Sequence, residues 1–263
     1  FTTGKSNIKE NEERLFLCEC YDNGQKELIQ SPLNYTGGKY KLLPQILPHF
    51  PKNINKFIDL FSGGGNVGIN VSCNKVIFND KNELIRYIFG TFKNLDKEST
   101  LTFIDDIIKK YQLSDSYRNG YEYYGCSSRE GLASYNNEKY INLRNDFNSR
   151  KNIDYFYYIE LYTLIIFAFN NQIRFNKKGE FNLPVGKRDF NEKMRLKLSK
   201  FIDRLKSGDY TFESKDFREL DNSEWNENTF VYADPPYLIT CATYNEQDGW
   251  TEQDEQDLLQ YLD

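Results

Sequence analysis

Apolar and polar positions follow two different periods along this chain, and the periods come in a definite order. Lys56 to Phe61 (KFIDLF) is a short, nearly continuous apolar run that stops at Ser62-Gly63-Gly64-Gly65. Such a run predicts a strand buried on both faces that enters a glycine turn. Asn66 to Val71 carries the small and apolar residues of a helix start. Val76-Ile77-Phe78 predicts a second strand, closed by Asn79-Asp80-Lys81-Asn82. Glu83 to Phe92 places Leu84, Ile85, Ile88 and Phe89 on one face of a helix. Strand, glycine turn, helix, strand, acid is the order of a nucleotide-binding α/β unit.

A helical pattern then takes over. Leu101 to Tyr111, Glu138 to Phe147 and Asp154 to Asn170 read as helices, with a polar, Tyr-rich loop at Tyr117 to Asn137. Asn171 to Lys187 has the character of a hairpin turning at Lys177-Lys178-Gly179, and Asn191 to Lys206 that of a basic amphipathic helix. Strand signals return at Tyr210 to Glu213 and at Thr229 to Ala233; the second ends in Asp234-Pro235-Pro236-Tyr237, and Glu252 to Leu262 reads as a helix. Upstream, residues 1–30 are weakly patterned and read as a tail or loose helix, and Lys41 to Leu47 as a short helix ended by Pro48 and Pro51. The predicted class is α/β, a Rossmann-like sheet with an inserted, mainly helical lobe. Its divisions are a tail (1–30), a first sheet part (31–94), the insertion (95–206) and a second sheet part (207–263). The pattern yields four core strands, where open sheets average about five to six, so further strands are expected beyond Asp263.

Composition changes this picture little. The five Cys are scattered, no CxxC pair occurs, and His49 is the single histidine, so no metal site is expected. The longest apolar run, Tyr162 to Phe169, is too short to span a membrane, and Leu15 to Leu17 is too short for a signal peptide. Free thiols in a reducing cytoplasm fit this usage. As a total, the net charge of −5 argues against a nucleic-acid partner, but its distribution removes the objection. About twelve acids and no Lys or Arg lie between Glu219 and Asp263. Residues 1–218 hold all 34 Lys and Arg against about 27 acids. Asn171 to Lys206 alone has about eleven basic and four acidic residues, interleaved with Phe175, Phe181 and Phe190. A solvated helix face is the ordinary reading of such a block; a basic, aromatic hairpin that tracks a phosphate backbone is the other.

Two constellations carry candidate chemistry. In Asp59-Leu60-Phe61-Ser62-Gly63-Gly64-Gly65, the glycines let the backbone turn tightly beside a ligand, and Asp80 is placed to accept from ribose hydroxyls. The chain has no GxxxxGK[ST] phosphate loop. In Asp234-Pro235-Pro236-Tyr237, a carboxylate at a strand end can accept from an exocyclic amine. The prolines stiffen the turn, and the Tyr237 ring can stack on a planar base.

These motifs and their order resemble the Dam family of DNA N6-adenine methyltransferases. The matching residues are Tyr35-Thr36-Gly37-Gly38-Lys39-Tyr40, the glycine loop, Asn79-Asp80, Asp216-Phe217 and Asp234-Pro235-Pro236-Tyr237, with Arg174-Phe175-Asn176 and Gly179 to Gly186 similar to the recognition hairpin. The resemblance implies S-adenosylmethionine as cofactor, double-stranded DNA as substrate and a monomer, with a cognate restriction endonuclease as one expected partner. It places Tyr35, Lys39, Asp59, Phe61, Gly63, Gly64, Gly65, Asp80, Asp216, Phe217 and Asp234 at the cofactor. Asp234, the Pro235 carbonyl, Tyr237 and Lys39 would surround a flipped adenine. Arg174 would read guanine, Pro184 pack on a base, Phe169 fill the gap left by the flipped base, and Lys177 and Lys178 meet phosphates. GATC is the site the resemblance suggests, although Gln172 stands where the family usually has Leu. Two alternatives stay open on the sequence: an amino-methyltransferase acting on cytosine N4 or RNA, and a shortened chain that binds without turnover.

Overall fold

The computed structural model describes residues 27–236 and 249–263, together with the backbone of a small antiparallel ladder pairing Tyr21–Asp22 with Gln25–Lys26. Four apolar segments form one parallel sheet: β1 (Lys56–Asp59), β2 (Lys75–Asn79), β3 (Asp209–Glu213) and β4 (Thr229–Tyr232), in the spatial order β3-β2-β1-β4. The pleat sends successive side chains of β1 to opposite faces. Phe57 joins the large core on one face, and Ile58 joins a smaller cluster with Leu60, Phe217, Leu220 and Leu258 on the other.

Six helices of eight residues or more surround the sheet among the described residues: α1 (Glu83–Asn94), α2 (Lys97–Lys110), α3 (Ala133–Ser149), α4 (Tyr155–Phe167), α5 (Glu192–Lys206) and α6 (Glu252–Leu262). Five of them start at a capping side chain, Asn82, Asp96, Asp154, Asn191 or Thr251, that accepts a first-turn backbone N–H. Helix α4 is apolar on almost every side, with Ile159 and Leu161 through Phe167 buried, and it packs against α1, α2 and α3. Residues 95–206 are thus mainly helical, and their core is continuous with that of the sheet. No helix of the described residues is long and apolar enough to cross a membrane.

The structure departs from the sequence pattern in four places. Asn66 to Val71 is not a helix start but a single 3-10 turn at Gly68–Asn70. The Asn70 amide donates to the Asn66 carbonyl at 2.8 Å and to the Ile29 carbonyl at 2.8 Å, drawing this segment onto residue 29 and away from a helical ladder. Helix α4 ends at Phe167 rather than Asn170, because Asn170 and Asn171 take left-handed φ of 56° and 53° and the Asn171 amide caps the Ile166 carbonyl at 2.6 Å. The Tyr-rich segment contains short turns at Ser116–Asn119 and Glu122–Tyr124 and gives way to α3 at Ala133. The N-terminal tail is anchored before residue 30: Ile29 is buried, and its N–H donates to the Asn70 side chain at 2.7 Å. Residues 1–20 lie outside the described residues.

Candidate active site and recognition hairpin

The strand order reverses between β1 and β4, and ligands of open α/β sheets bind at such a point, outside the carboxyl ends of the strands. Four predicted acids follow the four strands to this edge: Asp59 ends β1, Asp80 follows β2, Asp216 follows β3 and Asp234 follows β4. Asn79 ties the edge together. Its amide donates to the Leu60 and Lys215 carbonyls, both at 3.1 Å, and its side-chain oxygen accepts the Lys215 N–H at 3.1 Å.

The glycine loop closes tightly over this edge. Ser62 N–H donates to the Asn79 carbonyl at 2.8 Å, Gly65 N–H to the Ser62 carbonyl at 2.7 Å, and Gly63 N–H to the Asp80 carboxylate at 2.8 Å. Gly63 has a left-handed φ of 48°, and a Cβ there would sit 2.8 Å from the Tyr35 ring, so the predicted Tyr35 and the loop pack directly together. Asp59 is 1% exposed and accepts the Gly68 N–H at 2.9 Å. Burial is the main cause that pushes its carboxyl up to about 7, and the charges of Asp234 and Asp80 add to it. Ser62 Oγ is buried there without a hydrogen-bond partner among the described residues.

Lys39 and Asp234, 195 positions apart in the chain, meet at 2.6 Å between Nζ and Oδ2, and Lys39 Nζ also donates to the Gly37 carbonyl at 3.1 Å. This joins the Tyr35–Lys39 segment to the end of β4 at the switch point. Phe61 and Phe217 pack at 5.7 Å between centroids, and Trp250 meets both, at 5.5 and 5.8 Å. Asp216 caps the Phe217–Glu219 turn and pairs with Arg218 at 3.0 Å. Pro235 lies beside Asp234; Tyr237 is outside the described residues.

Sequence reasoning missed several residues at this edge. Asn66 and Asn70 hold the Tyr35 segment from behind, Asn66 accepting the Ser31 N–H at 3.0 Å and Asn70 pairing with both backbone groups of Ile29. Two asparagines four apart in an otherwise apolar run were the available signal. Arg218 reaches Asp254 and Asp257 of α6 at 2.6 and 2.7 Å, which part of the long acidic run would have suggested.

The residues expected at DNA form a second group. The hairpin is held by two isolated bridges, Ala168 with Val185 and Phe175 with Phe181, and turns at Gly179, whose φ is 76°. Lys177 and Lys178 are exposed at its tip. Phe169 is 50% exposed, and its N–H donates to the Pro184 carbonyl at 2.9 Å, so these two predicted residues are fixed to each other. A Cβ on Gly186 would collide with the Ala168 carbonyl oxygen, and its absence lets the two arms come this close. Arg174 and Tyr35 line one small cleft with Leu33, Asn34, Asn171 and Ile173, and the Asn34 amide donates to the Asn170 carbonyl at 2.8 Å. The hairpin and the sheet edge therefore adjoin.

The fold and the site define a class: an α/β protein with four acids along the carboxyl edge of its sheet, a lysine facing the acid of an Asp-Pro-Pro turn, and a basic hairpin alongside. The chain belongs to the D12 class N6 adenine-specific DNA methyltransferase family, which it matches over residues 35–263. It is 40% identical to the modification methylase StsI of Streptococcus sanguinis over 90% of this chain and 34% of that protein. It is 38% identical to the type II methyltransferase M.FokI of Planomicrobium okeanokoites over 89% of this chain and 34% of that protein. A DNA adenine methylase of Salmonella typhi is 29% identical over 81% of this chain and 66% of that protein. The chain spans about a third of the length of the first two relatives.

Proposed function

We propose that this chain transfers a methyl group from S-adenosylmethionine to the N6 amine of an adenine flipped out of double-stranded DNA, at a specific site. The observation that carries the reading is the meeting of Lys39 with Asp234 at the switch point of the sheet, beside the buried Asp59. The names of its relatives, modification methylases among them, support a place in a restriction-modification pair.

The donor set at the edge fits the cofactor. Asp59, Asp80 and Asp216 are acceptors, suited to amines, hydroxyls and a cation and unsuited to phosphate. Ser62 Oγ, without a partner among the described residues, adds a buried polar atom in the same loop. Asp80 would hold the ribose hydroxyls and Asp216 the adenine amine, with Phe217 packed nearby. Tyr35, Phe61, Asp59 and the loop Gly63, Gly64, Gly65 would line the methionine end. When bound, the cofactor supplies an electrophilic methyl on a sulfonium. The protein supplies the rest. The lone pair of the adenine amine is delocalised into the ring, and acceptors at its two hydrogens favour a more tetrahedral, more nucleophilic nitrogen. Asp234 and the Pro235 carbonyl are those acceptors, and the Lys39 ammonium fixes the carboxylate in place. The family resemblance would put Tyr237, outside the described residues, against the base, where stacking would offset the few kcal/mol of extrusion. As the nitrogen gained the methyl, the carbon–sulfur bond would break with its electron pair left on a neutral thioether, and one N6 proton would then pass to Asp234 or to water, so catalysis is positioning and electrostatics.

Plasmid DNA incubated with the chain and a methyl-labelled donor, then digested to nucleosides, tests this. Label in N6-methyladenine is expected. Label in cytosine alone, or none, sinks the reading. Protection of the same plasmid from methylation-sensitive nucleases decides whether the modified site is GATC.

A further inference from the structure

The guanidinium of Arg174 is already held before any DNA arrives. Its Nε donates to Asn182 Oδ1 at 2.9 Å and its Nη2 to the Asn182 carbonyl at 3.2 Å, while Asn182 N–H donates back to the Arg174 carbonyl at 3.2 Å. A guanidinium has two forked edges. Asn182 engages the side-on edge (Nε and Nη2), which leaves the end-on edge (Nη1 and Nη2) in one fixed plane. Asn182 is fixed in turn on both sides. Asn148 accepts the Phe181 N–H at 2.8 Å and donates to the Phe181 carbonyl at 3.0 Å. The Leu183 carbonyl accepts from the Tyr140 hydroxyl at 3.1 Å and from Arg144 Nη1 at 3.0 Å. Tyr140, Arg144 and Asn148 are spaced four apart on α3, so one face of that helix carries all three.

We infer that Asn182, braced by the Tyr140–Arg144–Asn148 face of α3, is a positioning residue that sets the guanine specificity of Arg174. A long arginine has many rotamers, and reading a base with both prongs requires one of them. Holding one edge of the fork in advance removes that ordering cost from the recognition step and aims the other edge at guanine O6 and N7. The inference rests on the proposed reading of Arg174.

The test selects bound duplexes from a randomised library with the whole chain and sequences them, which needs no turnover. The wild type is expected to enrich a motif with guanine at one position. Arg174→Ala should lose preference at that position. Asn182→Ala should weaken it at the same position, on the order of ten-fold against a full bidentate value of ten- to hundred-fold, and leave the other positions sharp. In the Arg174→Ala background, Asn182→Ala should change nothing further at that position. Asn182→Asp, which keeps the acceptor oxygen, should retain the preference better than Ala. Circular dichroism shows which variants are folded; should Asn182→Ala fail to fold, Asn182→Asp and Arg144→Gln carry the same comparison. An Asn182→Ala motif identical to the wild type, or one blurred equally at every position, overturns the inference while leaving Arg174 as reader. A wild-type motif without guanine, or one untouched by Arg174→Ala, overturns the reading beneath it.

Discussion

The glycine loop at the carboxyl edge of the sheet and the basic hairpin are held in different ways. In the glycine loop at that edge, neighbours in sequence do the holding: Gly63, Gly65 and Gly68 turn within a few residues of β1, and Asp59 and Asp80 accept backbone N–H groups of that same loop. The hairpin has two isolated bridges of its own, and side chains of α3 grip its second arm from outside. The glycine loop is thus coded largely by its own neighbourhood and buried, whereas the hairpin also depends on distant contacts and is exposed at its tip.

The largest expected effect lies at the edge. Asp234→Ala removes one acceptor from the proposed amine site and the partner of Lys39, and should lower methyl transfer by about 10²–10³-fold or more, the range for losing one preorganised polar group. Binding of duplex DNA, measured by fluorescence anisotropy, should change far less. Full activity in this variant would undo the assignment of the edge as the reacting end.

Glycine substitutions sharpen the contrast in stability. A Cβ on Gly68 would lie 2.5 Å from Phe78 Cε1 and 3.0 Å from Asp59 Oδ2, inside a packed core. Gly68→Ala should cost about 1–3 kcal/mol in urea denaturation. Gly179 at the hairpin tip has nothing within 4 Å and only its φ of 76° to object, so Gly179→Ala should cost about 1 kcal/mol. Equal costs would show that the two regions are not packed differently.

The same contrast explains what the sequence disclosed. The four strands, the glycine loop, Asp80 and the Asp-Pro-Pro turn were legible because each is a run of adjacent residues whose pattern states its backbone geometry. The membership of Lys39 and Asp234 in one site came only from the family resemblance, since nothing local links positions so far apart. The failed helix at Asn66 to Val71 has the same cause. Its small and apolar residues permit a helix, and it is Ile29, more than thirty residues away, that captures Asn70. Tyr140 and Arg144 fall inside the predicted helix Glu138 to Phe147 and Asn148 just beyond it, but their grip on Phe181 and Leu183 is tertiary and no local pattern states it.

Acidity offers a further separation. The Asp59 carboxyl rises from 3.8 to about 7 on folding, through burial first. Between these values the folded chain keeps a proton that the unfolded chain has lost. Stability should therefore be greatest below about pH 4 as far as this group is concerned, fall as pH rises through the window, and carry the full cost above about pH 7. Asp59→Asn keeps an oxygen for the Gly68 N–H and cannot ionise. Its Tm should depend less on pH between about 5 and 8 than the wild type's, with the gain largest at the upper end. Parallel Tm profiles for the two proteins would contradict the burial of an ionisable Asp59 at the edge.

The smallest effect belongs to the hairpin tip. Lys177 and Lys178 are exposed, and no side-chain bond or ion pair holds their ammonium groups among the described residues. A cation that meets a phosphate releases a counterion, so its contribution appears in the salt dependence of binding more clearly than in affinity at one salt concentration. Lys178→Ala should lower the slope of log affinity against log salt by about 0.9, the value for one phosphate that is no longer neutralised. The weakening should be the same for every duplex sequence, because a phosphate carries no base identity. Arg174→Ala should do the reverse, altering preference at one base position more than the overall affinity. A Lys178→Ala effect confined to one sequence would place that lysine at a base, and the division of the hairpin into a reading arm and a phosphate-tracking tip would fail.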